Sequence, residues 1–134
     1  MSVLNDLAQR LEDQGVGTIG TTVFRGRTPD EPDELVRVQT FDGPDSRIRN
    51  DEYLPADERI NVQVLARSLY QGAAETLAES AFDAIQFRSE TLTSGRFYPY
   101  VRAPRFPAYI GVDDRGRHLV AFDVEVRRLR DTGL

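Results

Sequence analysis

Apolar and polar residues recur along the chain with two different periods, and these periods predict two helices and several strands. Near the N-terminus the apolar residues have helical spacing and predict a helix over about 3–14, with Gly15 as its stop. A second helix is predicted over about 68–87, because Ser68 and Gln71 have the spacing of a capping box and small residues line the buried stripe.

The other period is two residues, and it predicts strands between and after the helices. The cleanest alternation runs from Arg59 to Arg67, and the longest runs from Arg117 to Leu129. Shorter extended segments are predicted over residues 18–24, 35–41, 96–103 and 106–112. This order predicts an α+β fold: a mixed, mostly antiparallel sheet of about four to five strands, with two main helices packed on one face.

Length and composition fit one folded domain that spans residues 1–134. The chain has 134 residues, of which 40 % are hydrophobic and 29 % are charged, as in ordinary globular proteins. One segment, at about 42–59, is long, polar and acidic, and contains Gly43, Pro44 and Pro55. A segment of this kind predicts an exposed loop or a mobile arm.

Several classes of site and location are excluded by composition. The chain has no cysteine, which excludes disulfides, zinc–thiolate sites, iron–sulfur clusters and thiol nucleophiles. No apolar run approaches the roughly 20 residues that cross a bilayer, and the N-terminus lacks the pattern of a signal peptide. The sequence therefore predicts a soluble protein that acts without secretion and without a membrane.

The charge is acidic overall and unevenly distributed. The 22 acidic and 17 basic residues give a formal net charge of −5, and every basic residue is arginine. Residues 28–58 carry ten acidic and three basic groups, whereas residues 86–134 carry six acidic and nine basic groups. Arginines and aromatic residues interleave between 96 and 109, which suits either nucleic-acid stacking or a protein interface. The acidic net charge favours the protein interface.

The sequence offers no support for catalysis or for a cofactor. His118 is the single histidine, and it is predicted to face solvent at the start of a strand. No dinucleotide-binding, phosphate-binding or nucleophile-elbow motif is present. The carboxylates that begin at Asp30 lack the fixed spacing of a calcium-binding loop and predict a solvated acidic surface. We therefore predict no enzymatic activity, no cofactor and no metal.

The stretch from Ala103 to His118, APRFPAYIGVDDRGRH, is followed by an alternating strand through Val126. It resembles the C-terminal part of the minor capsid and tail-terminator (tail completion) family of long-tailed bacteriophages. Members tend to carry a proline and then a Leu/Ile-Gly-x-Asp-Asp/Glu-x-Gly-Arg turn before a final strand. The helix from Leu4 that ends in Gly-x-Gly is similar to the family's opening. The strand that ends at Arg67, with its alanine-rich helix, is similar to the family's middle.

The resemblance implies a structural role in the virion. Tail terminators form a ring, typically six-fold, that caps the head-proximal end of the tail tube, ends its growth and presents a docking surface for the head. The implied partners are further copies of the chain, the tail tube protein and a head-completion or connector protein. DNA would only pass through the lumen, without specific binding, and assembly would take place in the host cytoplasm. The alternatives are a neighbouring head–tail connector protein and a small ligand-binding or enzymatic α+β domain.

Under this role we expect subunits to associate head to tail. The acidic region over 28–58 would face the basic region over 86–134 of the next copy, and the hairpin from Gly111 to Arg117 would serve as a docking element. In the 42–59 segment two apolar residues would act as anchors. The residues predicted to lie at protein interfaces are Asp30, Glu31, Asp33, Glu34, Tyr53, Leu54, Arg102, Arg105, Tyr109, Asp113, Asp114, Arg115, Gly116 and Arg117.

Overall fold

The computed structural model describes residues 3–41, 47–48 and 57–129, and these form one sheet with two helices on one of its faces. The elements, in chain order, are α1 (Val3–Asp13), β1 (Val23–Arg25), β2 (Leu35–Phe41), β3 (Arg47–Ile48), β4 (Asp57–Ser68), α2 (Gln71–Ile85), β5 (Phe87–Thr91), β6 (Phe97–Arg102), β7 (Ala108–Val112) and β8 (His118–Leu129).

The two strands with the longest alternation form the centre of the sheet. β4 and β8 pair antiparallel over twelve positions, from Asp57 opposite Leu129 to Ser68 opposite His118. The strand order is β1-β2-β4-β8-β6-β5, with β3 also on β4 and β7 also on β8. Only β1 with β2 is a parallel pair of named strands in the described ranges. The predicted α+β class and mostly antiparallel sheet are confirmed.

The sheet has more strands than the four to five predicted. In the described ranges it has eight, because β1, β3 and β5 are too short or too polar to give a clear alternation. β3 continues the edge of β4 after β2 has ended, with Arg47 opposite Arg59. β5 begins at Phe87, which the periodicity had placed at the end of the second helix.

The second helix begins at Gln71, so the prediction of Ser68 as its N-cap is wrong. Ser68 is the last residue of β4 and is still paired with His118 in the central ladder. The N-cap is Tyr70, whose backbone is extended and whose side chain makes no capping hydrogen bond. The hydroxyl of Ser68 instead accepts a hydrogen bond from the Tyr70 amide, at 3.3 Å. The β ladder therefore extends further than the local capping signal suggested.

Both helices bury their apolar stripes against the same face of the sheet. On α1 the buried stripe includes Leu7 and Leu11, and on α2 it is made largely of alanines. The small alanine side chains let α2 lie close to the valines of β4 and β8, which alternate inward as predicted. The opposite face carries polar groups, among them Gln63 and Asp123.

A buried polar cluster ties α1 to the turn before β6. The carboxylate of Asp6 accepts hydrogen bonds from the Tyr98 hydroxyl at 2.5 Å, the Ser94 hydroxyl at 2.6 Å and the Ser94 amide at 3.2 Å. Asp6 and Tyr98 are both buried. Beside them Arg128 donates from Nε to Glu58 at 2.7 Å. The cluster provides hydrogen-bond partners for these polar groups near the N-terminal end of β4, at Glu58, where β6 and β8 lie close by.

The stability of the protein should fall more steeply above pH 10 than that of its Tyr98→Phe variant. Burial, followed by the Asp6 carboxylate, raises the pKa of Tyr98 above its usual value of about 10. The folded protein thus keeps a proton that the unfolded chain releases, so this contribution is complete below pH 10 and is lost as the pH rises further. Denaturant unfolding between pH 8 and 11.5 measures it. Tyr70→Phe is the control, because Tyr70 is 73 % exposed; equal slopes for all three proteins would contradict the prediction.

The chain between β2 and β4 is only partly described. Residues 47–48 lie in β3 and residues 57–59 lie in β4. Residues 42–46 and 49–56, which include Tyr53 and Leu54, lie outside the described residues.

The hairpin between β7 and β8 is closed as its glycine predicted. The Asp113 amide donates to the Arg117 carbonyl, and the Gly116 amide donates to the Asp113 carbonyl, both at 3.0 Å. Gly116 has a φ of +75°, a conformation that costs a residue with a side chain about 1–2 kcal/mol. Gly111 also has a positive φ, at the irregularity in the β7–β8 register.

Replacing Gly116 with valine should lower the free energy of unfolding by about 1–2 kcal/mol. The space around the position is open, so the cost comes from the backbone conformation and not from a clash. Gly72→Ala is a matched control: its surroundings are equally open, but it lies in α2, where alanine is the better helix former. Chemical denaturation should show the first variant weakened and the second unchanged or strengthened. Equal stability of Gly116→Val and the unmodified protein would contradict this account.

Candidate functional site

A buried arginine on β4 holds the acidic loop between β1 and β2. Arg67 donates from Nη2 to the carbonyl oxygens of Pro32 at 2.6 Å and Asp30 at 3.1 Å, and from Nε to that of Asp33 at 3.2 Å. Desolvation by burial lowers the pKa of Arg67, and the nearby charge of Arg117 lowers it further. The loop thus lies against the sheet because one guanidinium binds three of its carbonyl groups.

A second buried arginine links the same loop to the β7–β8 hairpin. Arg117 donates from Nε to Asp113 at 2.8 Å and from Nη1 to the Asp30 carbonyl, and it lies 3.4 Å from the Asp33 carboxylate. Desolvation acts to raise the pKa of Asp113, but hydrogen bonds from the Arg117 and Arg115 backbone amides and from the Arg117 side chain lower it below its usual value. Loop and hairpin therefore form one unit.

These contacts place part of the predicted interface inside a single subunit. The guanidinium of Arg117 is only 4 % exposed, and Arg115 lies 3.9 Å from the carboxylate of Asp30 in the same chain. Sequence reasoning gave the complementary charges but not whether they meet within one copy or between two. Of the predicted residues on this unit, Arg117 is buried and Asp113 is half-buried. The exposed ones are Asp30, Glu31, Asp33, Glu34, Asp114, Arg115 and Gly116.

Of the aromatic residues between 96 and 109, Tyr98 is buried in the core, whereas Phe106 and Tyr109 belong to an exposed group on and before β7. Phe106, Tyr109, Ile110 and Val112 are all exposed, Phe106 by 82 %, and we call these four residues the β7 strip. The Phe106 ring packs on Phe82 of α2 at 5.6 Å between centroids. Phe82 in turn meets a core ring, so the exposed strip is anchored to the interior. Groups of exposed apolar residues of this kind mark interaction sites.

A groove runs between the β7 strip and the outer side of α2. The helix layer covers β4 and β8 but leaves β7 open, and the resulting groove has a volume of about 410 Å³. Its floor is apolar and its wall is acidic. The lining residues are Glu75, Glu79, Phe82, Asp83, Phe106, Pro107, Tyr109 and Val120, and we call this site the α2–β7 groove.

The three carboxylates of this groove were not predicted as site residues. Glu75, Glu79 and Asp83 are exposed, and the described part of the chain gives them no hydrogen bond or ion pair. Their four-residue spacing on a helix places them on one face, and that spacing was visible in the sequence. A row of like charges without partners marks a surface that can meet a basic one.

The remaining predicted arginines lie near the same end of the sheet. Arg102 pairs with Glu125 at 3.3 Å and stacks on the Tyr100 ring at 4.6 Å. Arg105 is exposed beside Phe106. Of the two, only Arg102 is held by neighbours that the described residues supply.

His118 is the first residue of β8, as predicted, and it is half-exposed beside the β7 strip. Its Nδ1 is 2.9 Å from the Tyr109 hydroxyl, and the two rings are 5.8 Å apart. The β7–β8 pairing puts them on neighbouring strands. The histidine therefore helps to fix the orientation of Tyr109.

The opposite edge of the sheet carries exposed arginines beside the exposed carboxylate of Asp30. β1 lies at the far end of the strand order, and a second groove of about 420 Å³ is lined by Phe24, Arg27, Thr28, Pro29 and Asp30. Arg25 and Arg27 are exposed; Arg25 donates a hydrogen bond to Asn5, and Arg27 has no ion pair within the ranges described. We call Phe24, Arg25, Arg27 and Pro29 the β1 edge.

The described residues contain no group of three or more histidine or carboxylate side chains placed to hold a metal ion. Neither helix in the part of the chain that the structure covers is long and apolar enough to cross a membrane.

Comparison with known proteins gave a match to a family model and a match to a solved structure. A family model described as bacteriophage tail terminator protein matches residues 10–129. Among solved structures, a chain of a native gene transfer agent virion particle has a TM-score of 0.67 at 16 % identity, over 96 % of both chains. At that identity the likeness concerns the fold. A search of curated proteins gave no match. The family match begins inside α1 and ends with β8, so it includes both grooves.

Proposed function

Because this chain belongs to the bacteriophage tail terminator family, we propose that six copies form a ring that caps the head-proximal end of a phage tail tube. The family consists of structural tail proteins, and its resemblance to the sequence around Gly111–Arg117 agrees with the match over residues 10–129. In this proposal the ring ends tube growth on one side. On the other side it docks the head through a head-completion or connector protein.

The observation that carries the proposal is the exposed apolar β7 strip. A monomer that acts alone rarely leaves four neighbouring apolar side chains uncovered, least of all with one ring 82 % exposed. A subunit of an assembly covers such residues when it binds its neighbours. The buried arginines that fix the loop and the hairpin would give the assembly rigid surfaces.

The acidic region of the chain suits a lumen through which DNA passes. Residues 28–58 carry a net charge of −7, and a wall of that sign repels phosphate, so the duplex slides without specific binding. In the proposed ring the part of the 42–59 segment that precedes β4 lines the lumen or a docking face, with Tyr53 and Leu54 as its apolar anchors. The protein then needs no enzymatic activity, cofactor or metal.

Deleting the gene from a phage that encodes this protein tests the proposal. Without a terminator, tail tubes should grow beyond their normal length and should fail to join heads, as electron micrographs would show. A plasmid copy of the gene should restore both properties, and antibody labelling should place the protein at the head-proximal end. Tails of normal length that fail only to attach would favour the connector alternative. Normal virions would favour the ligand-binding alternative and overturn the proposal.

A further inference from the structure

We propose that the lateral contact of the ring is formed when the β1 edge of one copy enters the α2–β7 groove of the next. The inference rests on the proposed function, since it specifies how the ring closes. It commits to a second copy of this chain as the occupant of the groove.

The two surfaces lie at opposite ends of one sheet. The strand order begins with β1, and β7 lies beyond β8, on the side of that strand away from β4. Two different surfaces on opposite sides of a subunit make a head-to-tail contact, which closes into a ring when the rotation between copies allows it. A contact of either surface with itself would stop at a dimer.

Their shapes and polarity are also suited to each other. The groove exists because no helix covers β7, and its floor is formed by Phe106, Tyr109 and Val120. The β1 edge offers Phe24 and Pro29 as apolar material. Because α1 packs on β1 and β2, an incoming β1 edge would bring the neighbour's α1 beside the position that is empty over β7. The helix layer would then continue from one copy to the next.

The arginines of the β1 edge are opposite in sign to the groove wall, and the nearby carboxylate of Asp30 lies 3.9 Å from Arg115 of its own subunit. The groove wall carries Glu75, Glu79 and Asp83, which have no ion pair among the described residues, and the β1 edge carries Arg25 and Arg27. Complementary charge steers association and fixes register. The acidic loop and the β7–β8 hairpin cannot supply this complementarity in full. The two arginines of the hairpin are balanced by its two aspartates, and they lie beside Asp30 and Asp33 of the same subunit.

Cysteine crosslinking tests the contact directly, because the natural chain has no cysteine. The full-length double variant Arg27→Cys/Glu79→Cys, treated with a short thiol-specific crosslinker, should give a ladder of covalent multimers up to the size of the ring. Either single-cysteine variant should give no such ladder. Arg27→Cys/Asp123→Cys is the matched control, because Asp123 is exposed on the open face of the sheet, away from the groove. It should give no ladder either.

Charge exchange provides a second, independent test. Glu79→Arg alone and Arg27→Glu alone should each weaken ring formation about tenfold or more, measured as the concentration at which the mass by light scattering reaches half its final value. The combined variant Glu79→Arg/Arg27→Glu should recover most of the loss, whereas Asp123→Arg should leave assembly unchanged.

The outcomes separate this inference from the proposed function. Rings of unmodified protein, together with no ladder from Arg27→Cys/Glu79→Cys, would overturn the lateral contact and leave the ring intact. A second result would also overturn the lateral contact. If ring formation is unchanged by the charge exchange, and the groove is protected from hydrogen exchange only when tail tubes are added, the groove binds the tube protein. Absence of rings from both the purified protein and isolated tails would overturn the proposed ring, and this contact with it.

Discussion

Replacing Arg67 with methionine is expected to lower the free energy of unfolding by about 3–5 kcal/mol. The side chain is 3 % exposed, and its guanidinium binds the carbonyl oxygens of Asp30, Pro32 and Asp33. Methionine fills a similar volume but donates no hydrogen bond, so the carbonyls of Pro32 and Asp33 lose this donor and that of Asp30 keeps only Arg117. Partly buried acceptors without a donor are costly, and the loop that they belong to would lose its main attachment to β4.

Denaturant unfolding measures this loss, and two further variants identify its cause. Arg27→Met removes an exposed arginine from the same β1–β2 loop. It should change the free energy of unfolding by no more than about 0.5 kcal/mol. Arg67→Lys should recover less than half of the loss, because a single ammonium group cannot reproduce the planar set of donors. A loss below about 1 kcal/mol for Arg67→Met would mean that the loop is held mainly by Arg117.

The centre of the fold could be predicted from sequence because burial there follows a simple period. Val62 and Val64 alternate with Asn61 and Gln63, and Phe122 and Val124 alternate with Asp123 and Glu125. These alternations give two long strands whose inner faces are known in advance. These strands form the twelve-position ladder on which the rest of the sheet is built. A continuous ladder also explains why Ser68 remained in β4 and did not cap the helix, since tertiary pairing overrode a local signal.

The edges of the fold were less predictable for the opposite reason. β1 and β5 are three and five residues long, and their sequences do not alternate over enough positions to give a period. In β5 a positive φ at Ser89 lies at the position opposite Pro99, where no register pair is formed, so the regular alternation of faces is interrupted. Strands of this kind form because they pair with neighbouring strands, and a single sequence does not show which strands those are.

The candidate site likewise has parts that the sequence predicts and parts that it does not. Residue type identified Phe106 and Tyr109 as surface material, because aromatic residues beside arginine and proline are typical of interfaces. Residue type could not say that Arg117 would be buried against its own acidic loop, since the two lie more than eighty positions apart in the chain. The groove itself arises from the absence of a helix over β7, which is a property of the topology.

Replacing Asp6 with alanine is expected to lower the free energy of unfolding by about 2–4 kcal/mol. Its buried carboxylate accepts three hydrogen bonds, from the hydroxyls of Tyr98 and Ser94 and from the Ser94 amide. Alanine would leave these three donors without this acceptor, the Tyr98 hydroxyl in a buried position and the two Ser94 groups in partly buried ones. The attachment of α1 to the turn before β6 would be lost with them.

A double-mutant cycle with Tyr98→Phe isolates the strongest of these bonds. If the 2.5 Å contact is the main link, the sum of the losses in unfolding free energy of the two single variants should exceed the loss of the double variant by about 1–3 kcal/mol. Asp13→Ala, on the exposed side of α1, is the control for removing a carboxylate from that helix, and it should cost less than about 0.5 kcal/mol. Additive losses in the cycle would mean that Asp6 acts mainly through Ser94. The α1 attachment would then depend on the turn that precedes β6 and not on the core tyrosine.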